Sequence, residues 1–187
     1  MMEACASLSP SEVLDLAVLG VTSERARSAA EVIAAVKHIG AARFQPTADV
    51  IVGRVVALAE AGLLNATRNA SSGEAVWRPS PAGQAYIERL LLRPGGAPVH
   101  ALAAVCASLR FCFLGLLQPA AREAVVKDLV AAHRRALDEA QAALTGCPCR
   151  CGFVQRWLAR DVERWEAELS WLEALASEFA TARRLRL

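Results

Sequence analysis

Residues 54–87 read RVVALAEAGLLNATRNASSGEAVWRPSPAGQAYI, a helical rhythm that breaks off for a short polar hairpin and then resumes. Gly62 terminates the helical part, as glycine commonly does at a helix end. "LLNATRN" and "AVWRPS" are short extended pieces, and the Ser and Gly residues of "ASSGE" between them favour a turn. Ser80-Pro81 then opens another helix, "PAGQAYIERLLL".

Upstream of this stretch the chain is helical. In "SPSE" Ser9 can cap, Pro10 suits the first helical position and Glu12 completes a capping box. Val13, Leu16, Ala17 and Gly20 follow at helical spacing. A second box, Ser28 with Glu31, opens "SAAEVIAAVKHIG", which Gly40 ends. A third helix starts at about Thr47, with Ile51, Val55 and Leu58 on its core face. Three short helices, a hairpin and a return helix make a winged helix-turn-helix. The expected fold class is mainly α with an α+β head.

Downstream, "RPGGAPV" (93–99) is rich in Pro and Gly between two apolar runs. It divides the chain into a head, 1–92, a linker, 93–98, and a helical tail, 99–187. The tail reads as helices over 99–117, 120–144 and 153–182. In the last of these Leu158, Val162, Trp165, Leu169, Leu172, Ala176 and Phe179 alternate steps of four and three, a coiled-coil seam. Val126, Val130, His133, Leu137, Ala140 and Leu144 repeat that stepping in the helix before. Trp157, Trp171 and Leu175 widen the apolar face beyond one partner helix, so a homodimer is expected.

Composition narrows the class. Hydrophobic residues make up 55% of the 187, mostly Ala, Leu and Val, which favour helix. No secretory signal is visible at the N-terminus. The most apolar window, 99–117, carries Arg110, which would cost roughly 2.5–3.5 kcal/mol at a bilayer centre. A buried helix in a soluble, cytoplasmic protein is the expectation. The six cysteines follow no secreted disulfide framework. Net charge is +2, with eight Lys/Arg against nine Asp/Glu in 1–92 and thirteen against ten in 93–187. A nucleic-acid contact therefore has to come from a local patch.

"LAEAGLL" (58–64), "AVWRPSPAGQAYIERL" (75–90) and "ELSWLEAL" (168–175), in this order, resemble motifs of the PadR-like family of transcriptional regulators. The resemblance covers most of the chain. It implies a dimer that binds pseudo-palindromic operator DNA, represses transcription, and is released by an effector held between heads and C-terminal helices. The family's DNA-facing Tyr and basic residue fall here at Val52 and Val56, so base reading is not carried over on those residue types.

Arg43, Thr47, Arg54, Arg68 and Arg78 are the candidate DNA contacts, Arg54 being the only base inside the third helix. Trp157 and Trp171, beside the seam, are candidates for stacking on a small aromatic effector; Trp165 and His133 read as core. "GCPCRCGF" places Cys147, Cys149 and Cys151 at alternate positions, a candidate soft-metal or oxidant-sensing loop. Its bland alternative is a Cys-rich turn. No Ser/His/acid set, phosphate-binding glycine loop or His-Glu metal motif is present, and no enzyme is expected. The competing class is a sensor or protein-interaction module of the same architecture.

Overall fold

The computed structural model describes residues 8–40, 43–149 and 151–184. The head contains α1 (Pro10–Glu24), α2 (Ala29–Gly40), α3 (Ala48–Glu60), the hairpin β2 (Leu64–Arg68) and β3 (Ala75–Pro79), and α4 (Pro81–Leu92). A two-residue strand, β1 (Arg27–Ser28), pairs antiparallel with β3 and makes the sheet order β1-β3-β2. That strand carries no period of its own, which is why the sequence did not announce it.

Both capping boxes form. Glu12 accepts from the Ser9 N–H at 2.8 Å, and the Glu12 N–H donates to Ser9 Oγ at 3.3 Å. Those bonds, with the Arg93 guanidinium, lower the Glu12 carboxyl to about 2. The Ser28 N–H donates to Glu31 at 2.8 Å, so one serine both ends β1 and starts α2. Gly62 takes φ +71° at the end of α3, and Ser80 Oγ accepts from the Gly83 N–H at the start of α4.

The tail departs from expectation in one place. Helix α5 (Ala101–Cys112) stops early and passes through a 3₁₀ turn, Leu114–Leu116, before α6 (Pro119–Gly146) and α7 (Gly152–Arg184). Phe113 breaks the helix because its ring packs where Gly20 of α1 leaves room; a Cβ on Gly20 would lie 2.3 Å from that ring. Arg122 closes the turn by donating to the carbonyls of Leu114 and Leu117.

One buried cluster runs from α1, α2 and α3 through α5 into α6, so the linker does not separate two cores. Arg110 is the fastener. It is buried, donates from Nε to the Leu91 carbonyl at 3.0 Å and from Nη1 to Asp128 at 2.7 Å. Asp128 in turn accepts from the Gly95 N–H at 2.9 Å. Head, linker and α6 are thus held by one charged hydrogen-bond network, and a buried arginine is tolerable because its donors are matched.

Candidate nucleic-acid interface and head–tail cavity

Helix α3 turns Ile51, Val55 and Leu58 into the core, as its spacing predicts. The opposite stripe is Asp49, Gly53, Val56 and Glu60, with Val50 and Val52 flanking it; all are exposed. Arg54 is not part of that stripe. Its Nε and Nη2 grip both oxygens of Asp15 on α1, and the Tyr86 hydroxyl of α4 donates to the same carboxylate at 3.0 Å. Arg54, a DNA candidate by sequence, is engaged by Asp15 here while its side chain stays partly exposed. Asp15 is buried within the apolar stretch 13–21 of α1 and needs a cation, and Arg54 is the base that reaches it. Its pairing raises the Arg54 pKa, while burial, then the Asp15 bond, pushes Tyr86 up to about 12.

The wing is different. Arg68 on β2 is exposed and donates to the Gly73 carbonyl at 3.3 Å. Arg78 on β3 is exposed and lies opposite Asn65. Asn69 holds the turn by accepting from the Ser71 N–H at 2.9 Å, and Gly73 takes φ +71°. Thr47 occupies the N-cap position of α3, exposed and without a side-chain capping bond.

Arg43 points the reading elsewhere. It lines a cavity of about 580 Å³ where the loop before α3 meets the tail. Val99 and His100 just before α5, Phe111 of α5, His133 of α6, and Arg164, Trp165, Glu168 and Trp171 of α7 contribute to its walls. The Phe111 and Trp171 rings lie 4.9 Å apart, tilted. Arg164 sits over the Trp165 ring at 4.2 Å, and His133 meets the same ring edge-on at 5.8 Å. His133 is hydrogen-bonded through Nδ1 to the Leu129 carbonyl at 2.8 Å, which leaves Nε2 towards Glu168 at 3.6 Å.

Of the two tryptophans singled out by sequence, only Trp171 lines this cavity. Trp157 is 62% exposed, away from the cavity walls, with Arg160 over its ring. Trp165, read as plain core, is buried and also forms a wall. The heptad could not separate these roles, because both tryptophans outside the seam look alike in one dimension.

Among the described residues no three His, Cys, Asp or Glu side chains converge to hold an ion, Cys147, Cys149 and Cys151 included. Cys151 lies just before α7, where the Val154 and Phe153 N–H groups lower its thiol pKa, and Cys147 and Cys149 lie in the loop before it.

A four-helix head with an antiparallel wing and a long helical tail defines a winged helix-turn-helix protein of the transcription-regulator class. The family profile "Putative AphA-like transcriptional regulator" matches residues 4–176, and the chain belongs to that family. The fold is also similar to Bacillus subtilis PadR in complex with operator DNA, at 16% identity over 91% of this chain and 99% of that one, TM-score 0.43. The same protein in complex with p-coumaric acid aligns at 16% identity over 93% and 99%, TM-score 0.40. No functionally curated protein matches the sequence. No helix among the described residues is long and apolar enough to cross a membrane.

Proposed function

We propose that the protein is a dimeric DNA-binding repressor released by a small aromatic effector. The observation that carries the reading is the head: α3 leaves its whole outer stripe uncovered beside a wing that carries two exposed arginines. In a dimer the tails would set two such helices about 34–36 Å apart, one turn of DNA.

The tail supports the dimer. The seam residues Trp165, Leu169 and Leu172 are already buried within the subunit, in the α6–α7 hairpin. Phe153 and Trp157 remain outside, 80% and 62% exposed, and a second copy is the occupant that would cover them.

A gel shift with the DNA upstream of the protein's own gene, under non-specific competitor, tests DNA binding. Replacing Arg68 and Arg78 together with Ala is expected to weaken binding and to flatten its log–log salt dependence by about one unit per arginine lost. Unchanged affinity and slope would remove the wing from the interface. The outer stripe of α3, with two carboxylates and no free cation, favours the second reading, an interaction module. Absence of any retarded complex supports that one.

For the effector, the cavity joins the tail to the loop that enters α3, so a ligand bridging Arg43 and the Trp171–Phe111 wall would favour one head position over others. Planar aromatic compounds are expected to quench tryptophan fluorescence on binding. Trp171→Ala should weaken that binding about tenfold, by loss of stacking and buried area, and Trp157→Ala should leave it unchanged. Equal losses from both would place the ligand elsewhere.

A further inference from the structure

Helix α3 carries an unusual set of groups for a helix that enters a major groove. Ala48, Asp49, Val50, Val52, Gly53, Val56 and Glu60 are its exposed positions, and Arg54 is tied to Asp15. Between the two acids at its ends, the outer stripe offers no side-chain hydrogen-bond donor. Of the base edges in a major groove, thymine alone presents a methyl group, and apolar side chains are what that group contacts. Val52 and Val56 are 37% and 45% exposed on adjacent turns of one side.

Gly53 is an independent observation pointing the same way. A glycine inside a helix is about 1 kcal/mol less favourable than alanine, so a packing reason is expected. None exists among the described residues, because a Cβ built there meets nothing within 4 Å. A glycine at the centre of the outer stripe lets something outside the chain approach the helix backbone closely.

We infer that Val52 and Val56 are specificity-determining residues that read thymine methyl groups, with Gly53 allowing the base edges to come close. This rests on the DNA-binding reading above. The wing arginines hold the backbone and supply affinity, and the valines supply choice of sequence.

The test uses the full-length protein and a duplex recovered from a randomised pool, compared with the same duplex carrying deoxyuridine at each thymine in turn. Uracil lacks only the methyl group. At contacted positions, loss of one buried methyl should weaken binding about three- to fourfold, with larger losses when both half-sites are changed. Val52→Ala and Val56→Ala should each abolish the thymine–uracil difference at one position while leaving the fold intact, since both side chains are exposed. Gly53→Ala should raise the melting temperature yet weaken DNA binding. Equal affinity for thymine and uracil at every position overturns the inference and leaves DNA binding standing, as does a thymine preference that survives both valine variants. Enrichment of no duplex at all overturns the DNA-binding reading and this inference with it.

Discussion

Arg54→Ala is expected to destabilise the fold by about 3 kcal/mol, and Asp15→Ala by about half as much. The asymmetry follows from where the two charges lie. The Asp15 side chain is 2% exposed and the Arg54 side chain 31%. Removing the arginine leaves a buried carboxylate with the Tyr86 hydroxyl as its one remaining partner in the triad. Removing the aspartate leaves a guanidinium that can turn into water, and a tyrosine with one hydrogen bond fewer. Breaking a buried pair costs about 3–5 kcal/mol, and the partial exposure of Arg54 places this case at the lower end. The double variant should cost less than the two singles summed, because the pair is one interaction. Urea unfolding of the three variants measures all of this. Should Arg54→Ala keep wild-type stability and lose only DNA affinity, the arginine is a DNA contact and the ion pair is incidental.

Gly83→Ala should be as damaging, by a different route. A Cβ at Gly83 would lie 2.1 Å from the backbone oxygen of Leu63. No rotamer relieves a clash between a Cβ and a backbone atom, so α4 must move away from the turn that joins α3 to β2. That movement breaks the Ser80 N–H bond to the Leu63 carbonyl (3.0 Å) and the Ser80 hydroxyl bond to the Gly62 carbonyl (2.7 Å). Overpacking of this kind costs about 3 kcal/mol or more when backbone is the obstacle. For a protein of this size that corresponds to a melting temperature roughly 6–12 °C lower. A shift under 2 °C would show that the α3–β2 turn yields, and the close approach would then have no structural weight. Gly53→Ala is the matched control, a helix glycine with open space beside it.

The same glycine shows how far the sequence motif could be read. "PSPAG" (79–83) resembles a family passage that ends in glycine, but the pattern gives no reason for that residue. The reason is the Leu63 oxygen, contributed by a turn twenty residues earlier in the chain. Asp15 is a comparable case. An acid on the apolar stripe "EVLDLAVLG" (12–20) signals a buried pair, yet the sequence does not say which of many cations answers it. Arg110, visible as a charge in an apolar run, likewise needed the crossing of α5 and α6 before Asp128 became its partner.

The DNA candidates divide on the same ground. Arg68 and Arg78 follow from the hairpin, whose two strands leave both side chains exposed. Arg43 and Arg54 flank or occupy one helix and look equivalent in sequence. The structure sends one to the head–tail cavity and the other to Asp15.

What the sequence determined by itself is everything that neighbours in the chain can settle: the capping boxes at Ser9 and Ser28, the stop at Gly62, the wing, the core face of α3 and the long helices of the tail. These depend on bonds and contacts spanning a few residues, and their spacing is a property of the chain. Only the tertiary structure decided which charge meets which, which tryptophan faces a cavity, and which helix face stays uncovered. Asp15 and Arg54 are 39 residues apart, and their meeting is set by how α1 and α3 cross. Periodicity gives each helix its buried side and leaves open what lies against it.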